Sequence, residues 1–165
     1  MKMTELSELE NSLLSDAIQL TRQIQNNDTR EKLFEIFKTY SQVHSQYAAL
    51  AQENIEALKR GLFIQWYSMT EPSFLTGIGD LDKGARFTII EILNRKIEND
   101  DLDLELEWML NYYSNFPWAF EEFKEYKGLA RVLANRQDKR LPVIDPKHMK
   151  TRGQMGHYWI SVTQK

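Results

Sequence analysis

The chain contains no cysteine. That single absence excludes disulfides, thiol nucleophiles, thiolate metal sites and iron–sulfur clusters, and it fits a cytoplasmic location. Long apolar runs are missing as well: no stretch approaches the roughly 18–20 residues of a membrane span. The opening Met1-Lys2-Met3-Thr4-Glu5 turns polar and acidic too soon to supply the apolar centre of a signal peptide. A soluble protein is expected.

Histidine is scarce, with three in the whole chain. None follows a glutamate at the Glu-x-x-His spacing of di-iron helical bundles. Asp145 and His148 have a similar spacing, but Pro146 between them denies the pair a regular helical face. There is no His-Glu-x-x-His motif, so no metal and no cofactor are expected. Gly77-x-Gly79 lacks both the spacing of a dinucleotide loop and the Lys-Ser/Thr of a phosphate loop, and reads as a turn.

What is present is charge and helical periodicity. The 165 residues suit one domain and can bury a core covering roughly 68–70% of the unfolded surface. Net charge is −3, which weighs against nucleic acid as a partner. The charge is uneven: Asp138 to Lys165 holds six Lys or Arg against two Asp, leaving an acidic body.

Leu6, Leu9, Leu13, Ala17, Leu20 and Ile24 recur at the helical period and predict a first helix ending at Asn26-Asn27-Asp28, with Ser7 and Glu10 spaced as a capping box. A second stripe runs without interruption through Leu33, Phe37, Tyr40, His44, Tyr47, Ala51, Ile55, Leu58, Leu62, Trp66 and Met69. As one helix this would be ~60 Å long, against a domain diameter of roughly 40 Å. A break is therefore expected near Thr39 to Gln42, leaving a central helix over about 42–69 with Pro72 beyond its end. Gly61, one turn from Ala57, predicts close approach of another helix.

Further helices are predicted over about 81–98, capped by Asp80 or Asp82, over about 102–115, and from Pro117 onward, where Gly128 could divide the last. After Asn135 the chain reads as irregular, and His157 to Val162 has strand-like composition with Leu141 to Ile144 as its partner. The expected fold is all-α: an irregular bundle of five to six helices around the long central helix (about 42–69), with a short extended C-terminal segment. The expected division is a helical domain over 1–136 and a basic irregular tail over 137–165, packed on that domain or extending from it.

Two kinds of site follow. Arg60, Trp66, Tyr67 and Glu71, with His44 and Tyr47 further back, put aromatics and polar anchors at the end of the central helix and form a candidate ligand pocket. The competing reading is that the aromatics fill the core. Asp100, Asp101, Asp103 and Glu105 form an acidic face that lacks the EF-hand pattern. With the basic Lys147, Lys150 and Arg152 they are candidate partner-binding residues. The leading expectation is a non-catalytic interaction or adaptor protein, through a protein partner or self-association. The alternative is a small-molecule-binding protein or enzyme using the helix-end pocket.

Overall fold

The computed structural model describes residues 1–137 and 143–164. Among them the fold is all-α: α1 (Met3–Thr21), α2 (Asn27–Leu50), α3 (Ile55–Thr70), α4 (Ser73–Thr76), α5 (Lys83–Glu98), α6 (Leu104–Tyr113), a 3-10 helix (Pro117–Phe123), α7 (Lys127–Ala134), α8 (Pro146–Met149) and α9 (Gly153–Thr163). No strand occurs among the described residues.

In α1 the apolar face forms as read, with Leu6, Leu13, Ala17 and Leu20 buried. The helix ends earlier than expected because the Gln25 side chain donates to the Leu20 carbonyl at 3.0 Å, satisfying an orphan acceptor of the last turn. Ile24 is left outside and exposed. Ser7 and Glu10 cap nothing: α1 begins at Met3, and both side chains are buried further along it.

The single rod over 42–69 is corrected to a helical hairpin. Thr39 stays inside α2, its hydroxyl donating to the Glu35 carbonyl at 2.9 Å. The chain turns at residues 51–54 instead, where the Asn54 side chain accepts from the backbone N–H of Glu56 at 3.0 Å and of Ala57 at 3.2 Å. That cap starts a new helix, and α3 runs back along α2. Gly61 shows how close the return is: a Cβ there would sit 2.6 Å from Ile89 Cδ1 of α5 and 3.4 Å from Tyr47 Cβ of α2. Tyr40, Tyr47, Leu58, Leu62 and Trp66 are buried as the stripe required, though Met69 at its end is exposed.

Asp82 and Asp103 cap α5 and α6, accepting from Ala85 N and Leu106 N, both at 2.8 Å. The helix expected from Pro117 is divided at residues 124–126, just before Gly128, into the 3-10 helix and α7. The extended C-terminal segment is also corrected. His157 to Val162 lies in α9, which packs on α1 and α3 and buries Met155 and Trp159. A helix satisfies its own backbone, whereas a lone strand needs a neighbour to do so. Half of the expected partner, Leu141 and Pro142, falls outside the described residues, and Val143 and Ile144 form no strand.

Candidate functional site

The polar residues of α1 meet the C-terminal segment in a buried seam. Glu10 stands in the Leu6–Leu13–Ala17 face, so its carboxylate points into the bundle and is 1% exposed. Tyr40 OH donates to its Oε1 at 2.8 Å and Tyr47 OH to its Oε2 at 2.6 Å. Gln154 Nε2 donates to Tyr40 OH at 2.8 Å and to the Thr76 carbonyl at 3.0 Å. Gly153 adopts φ +64 and presses its backbone on Glu10, where any Cβ would overlap the carboxylate. Ser7 Oγ donates to the Thr151 carbonyl at 2.7 Å and accepts from Gly153 N at 2.9 Å. Burial raises the Glu10 carboxyl above its ordinary pKa, against hydrogen bonds from Tyr47 and Tyr40 and the charge of Arg60.

Arg60 and Tyr47, two of the candidate ligand residues, belong to this seam. Arg60 donates through Nε to Glu56 Oε1 at 2.8 Å and through Nη1 to the Met3 carbonyl at 3.2 Å and Tyr47 OH at 3.5 Å. Arg152 grips the same carboxylate with both Nε and Nη2 at 2.7 Å, and its Nη2 lies 2.6 Å from Glu105 Oε1. Burial alone would raise the Glu56 carboxyl, but the two guanidiniums outweigh it and hold it below the usual value. Lys59 reaches Asp103 at 2.6 Å and Glu105 at 3.2 Å.

Three of the candidate partner-binding residues, Asp103, Glu105 and Arg152, therefore spend their charge inside the molecule. Arg152 is 3% exposed. Asp100 and Asp101 remain at the surface, Asp101 2.9 Å from Lys96, and Lys147 and Lys150 are exposed.

The helix-end aromatics are packed. Trp66 is buried, stacked on Tyr113 at 4.7 Å and on Tyr67 at 5.7 Å between ring centroids. Trp108 and Trp159 meet edge to face at 4.4 Å. Tyr67, Tyr112 and Tyr158 form the half-exposed rim, with Tyr112 OH and Tyr158 OH 2.7 Å apart and Glu71 exposed. Burial, then the Glu71 charge, pushes Tyr67 up to about 12. His44 is buried with neither ring nitrogen hydrogen-bonded, and burial pushes it down to about 4. Arg60 and Glu71 do not pair; Arg60 is held within the seam.

Open concavities lie elsewhere, among them one of about 330 Å³ beside Ile18 and His157, one of about 220 Å³ beside Asp100, and a group around Phe34 on the outer face of α2. Phe34 lines two clefts, one of about 710 Å³ between α1 and α2 and one of about 560 Å³ toward Ile78 and Leu81. A third, of about 300 Å³, shares Leu20 with the first and is walled by Phe74 of α4. Phe34, Met69 and Phe74 are all exposed here, Phe34 by 66%. Sequence reasoning missed this face because Phe34 sits beside the buried stripe, next to Leu33, and an aromatic off its stripe was the one available signal. It missed Glu10 for the opposite reason: the signal was a carboxylate at a core position.

Among the described residues no group of three or more His, Asp or Glu is placed to hold a metal ion, and no helix is long and apolar enough to cross a membrane. None of the known family models matches the chain, nor does any curated protein or solved structure.

Proposed function

We propose that the protein is a non-catalytic, cytoplasmic interaction protein that docks a partner on the face around Phe34. One observation carries this reading: three large apolar side chains, Phe34, Met69 and Phe74, stand exposed and line three neighbouring clefts. Scattered apolar residues are normal on a surface, but a contiguous set beside concave space marks an interaction site. The bundle behind it is tied by the Glu10 and Arg152 seam, a rigid scaffold for such a face.

Replacing Phe34 with a photo-crosslinking phenylalanine analogue in living cells tests the proposal. A discrete covalent adduct from that position, absent when the same analogue replaces the 85%-exposed Leu104 on α6, is the expected result. No adduct, or the same adduct from both positions, overturns it.

A second reading is favoured by the half-exposed rim of Tyr67, Tyr112 and Tyr158 beside Glu71: a small cationic or aromatic ligand held against the phenols. Its wall, Trp66, is a packed core residue, so the rim offers a shallow surface only.

A further inference from the structure

The docking reading can be taken one step further, to the chemistry of the partner. The largest cleft has an apolar floor, Leu20 and Ile36, beside the Phe34 ridge. Its margin carries four carboxylates, Asp16, Asp28, Glu31 and Glu35, and one lysine, Lys32. Lys32 is 2.9 Å from Asp28, its i,i+4 neighbour, so one acid is neutralised. Asp16, Glu31 and Glu35 have no ion-pair partner among the described residues. Glu31 and Glu35 stand one turn apart on the same helix face, where like charges repel. A cation brought to that margin relieves the repulsion, and the one base there, Lys32, is already paired with Asp28.

The shape selects further. The cleft runs between two helices, and no exposed strand is present among the described residues for a partner to extend. A helix laid in the groove is the mode that fits. Anionic lipid and nucleic acid are repelled by the same carboxylates.

We propose that the α1–α2 cleft receives a cationic amphipathic helix of another protein. An apolar side chain of that helix seats on Leu20 and Ile36 beside Phe34, and its lysines or arginines face Asp16, Glu31 and Glu35. This inference rests on the docking reading above.

The test titrates the isotope-labelled full chain with two synthetic amphipathic helices of about 16 residues, one of Leu and Lys and one of Leu and Glu. The Leu/Lys helix is expected to move the amide resonances of residues lining the cleft. Its affinity should fall at least ~10-fold in the triple variant Asp16→Asn, Glu31→Gln, Glu35→Gln, fall with added salt, and survive Asp100→Asn with Asp101→Asn unchanged. All these side chains are exposed, so the variants keep the fold.

Equal binding by the triple variant, or shifts centred on Asp100 and Asp101, overturns the proposal. If the Leu/Glu helix binds the same residues and Phe34→Ala abolishes it, the docking face stands and the cationic partner falls. If light scattering shows a dimer that Phe34→Ala dissolves, a second copy is the occupant and the inference is overturned. If neither helix moves these resonances, the docking face falls with it.

Discussion

Glu10 and His44 are ionisable groups in places where water cannot reach them, and their signs are opposite. The Glu10 pKa is raised in the fold by burial, so proton binding favours the folded state. Its contribution is full at acid pH and declines as pH rises through the folded value. Glu10→Gln keeps the shape and is expected to gain on the wild type as pH rises above the ordinary carboxyl value of 4.5. Glu10→Ala strips two buried tyrosine hydroxyls of their acceptor and should lose about 3–5 kcal/mol by urea denaturation. For His44 the folded pKa is depressed, to about 4, so proton binding favours the unfolded chain. Stability is lost as pH falls below the ordinary value of 6.5 toward about 4. His44→Leu, which needs no hydrogen bond, should shrink that loss by about 2–3 kcal/mol in denaturation curves across this range. An unchanged pH profile in the variant would assign the acid sensitivity to the carboxylates instead.

At the level of elements, α9 and the turn before it behave as a keystone. Thr151 to Gln154 bonds to Ser7, Glu10, Tyr40, Glu56 and Arg60, while Met155 and Trp159 fill the core behind them. Ending the chain after Asn135 leaves Glu10 short of partners and opens the space that Trp159 occupies. The truncated chain is expected to lose its cooperative thermal transition, read by circular dichroism; a sharp transition near that of the full chain would show α9 to be an accessory. Within the seam, Arg152→Ala should cost about 3–5 kcal/mol, because it leaves Glu56 partly buried beside one guanidinium instead of two. Glu56→Ala made in that background should cost clearly less than it does alone, since the two share one interaction.

Across the whole molecule, charge is sorted by destination. The acids at the start of α6 are met from two sides, Glu105 by Arg152 of the C-terminal segment and Asp103 and Glu105 by Lys59 of α3, while Lys147 and Lys150 stay at the surface. The acids left over by these pairings include those on the α1–α2 cleft. Some of the exposed apolar surface, Phe34, Met69 and Phe74, lies beside the clefts, while Ile24, Leu104 and Trp118 are exposed elsewhere. A residue kept for docking contributes little to stability: Phe34→Ser is expected to leave unfolding free energy within about 0.5 kcal/mol of the wild type. Leu62→Ala, at a fully buried position of α3, should lose about 2–5 kcal/mol in the same urea experiment. A large loss from Phe34→Ser would make that ring a structural residue and remove the docking face.

The sequence by itself determined the helical class and most of the buried positions, and it offered Asp82 as one of two caps for α5 and predicted the close approach at Gly61. These are local matters: a period of apolar side chains, or one side chain reaching its own backbone a few residues away, is written within a single turn or two. The hairpin at 51–54 was not legible, because the apolar stripe passes through the turn in phase and Asn54 is one polar residue among several. Nor was the helical state of His157 to Val162, since its aromatic and β-branched composition suits a strand, and packing of α9 on α1 and α3 decided it. The site depended on distance along the chain in the same way. That Glu10 and Glu56 would be acids held inside the fold was decided when residues 151–154 arrived against α1, α2 and α3. Desolvation and pairing are set by what comes from far away, and only the folded chain brings it there.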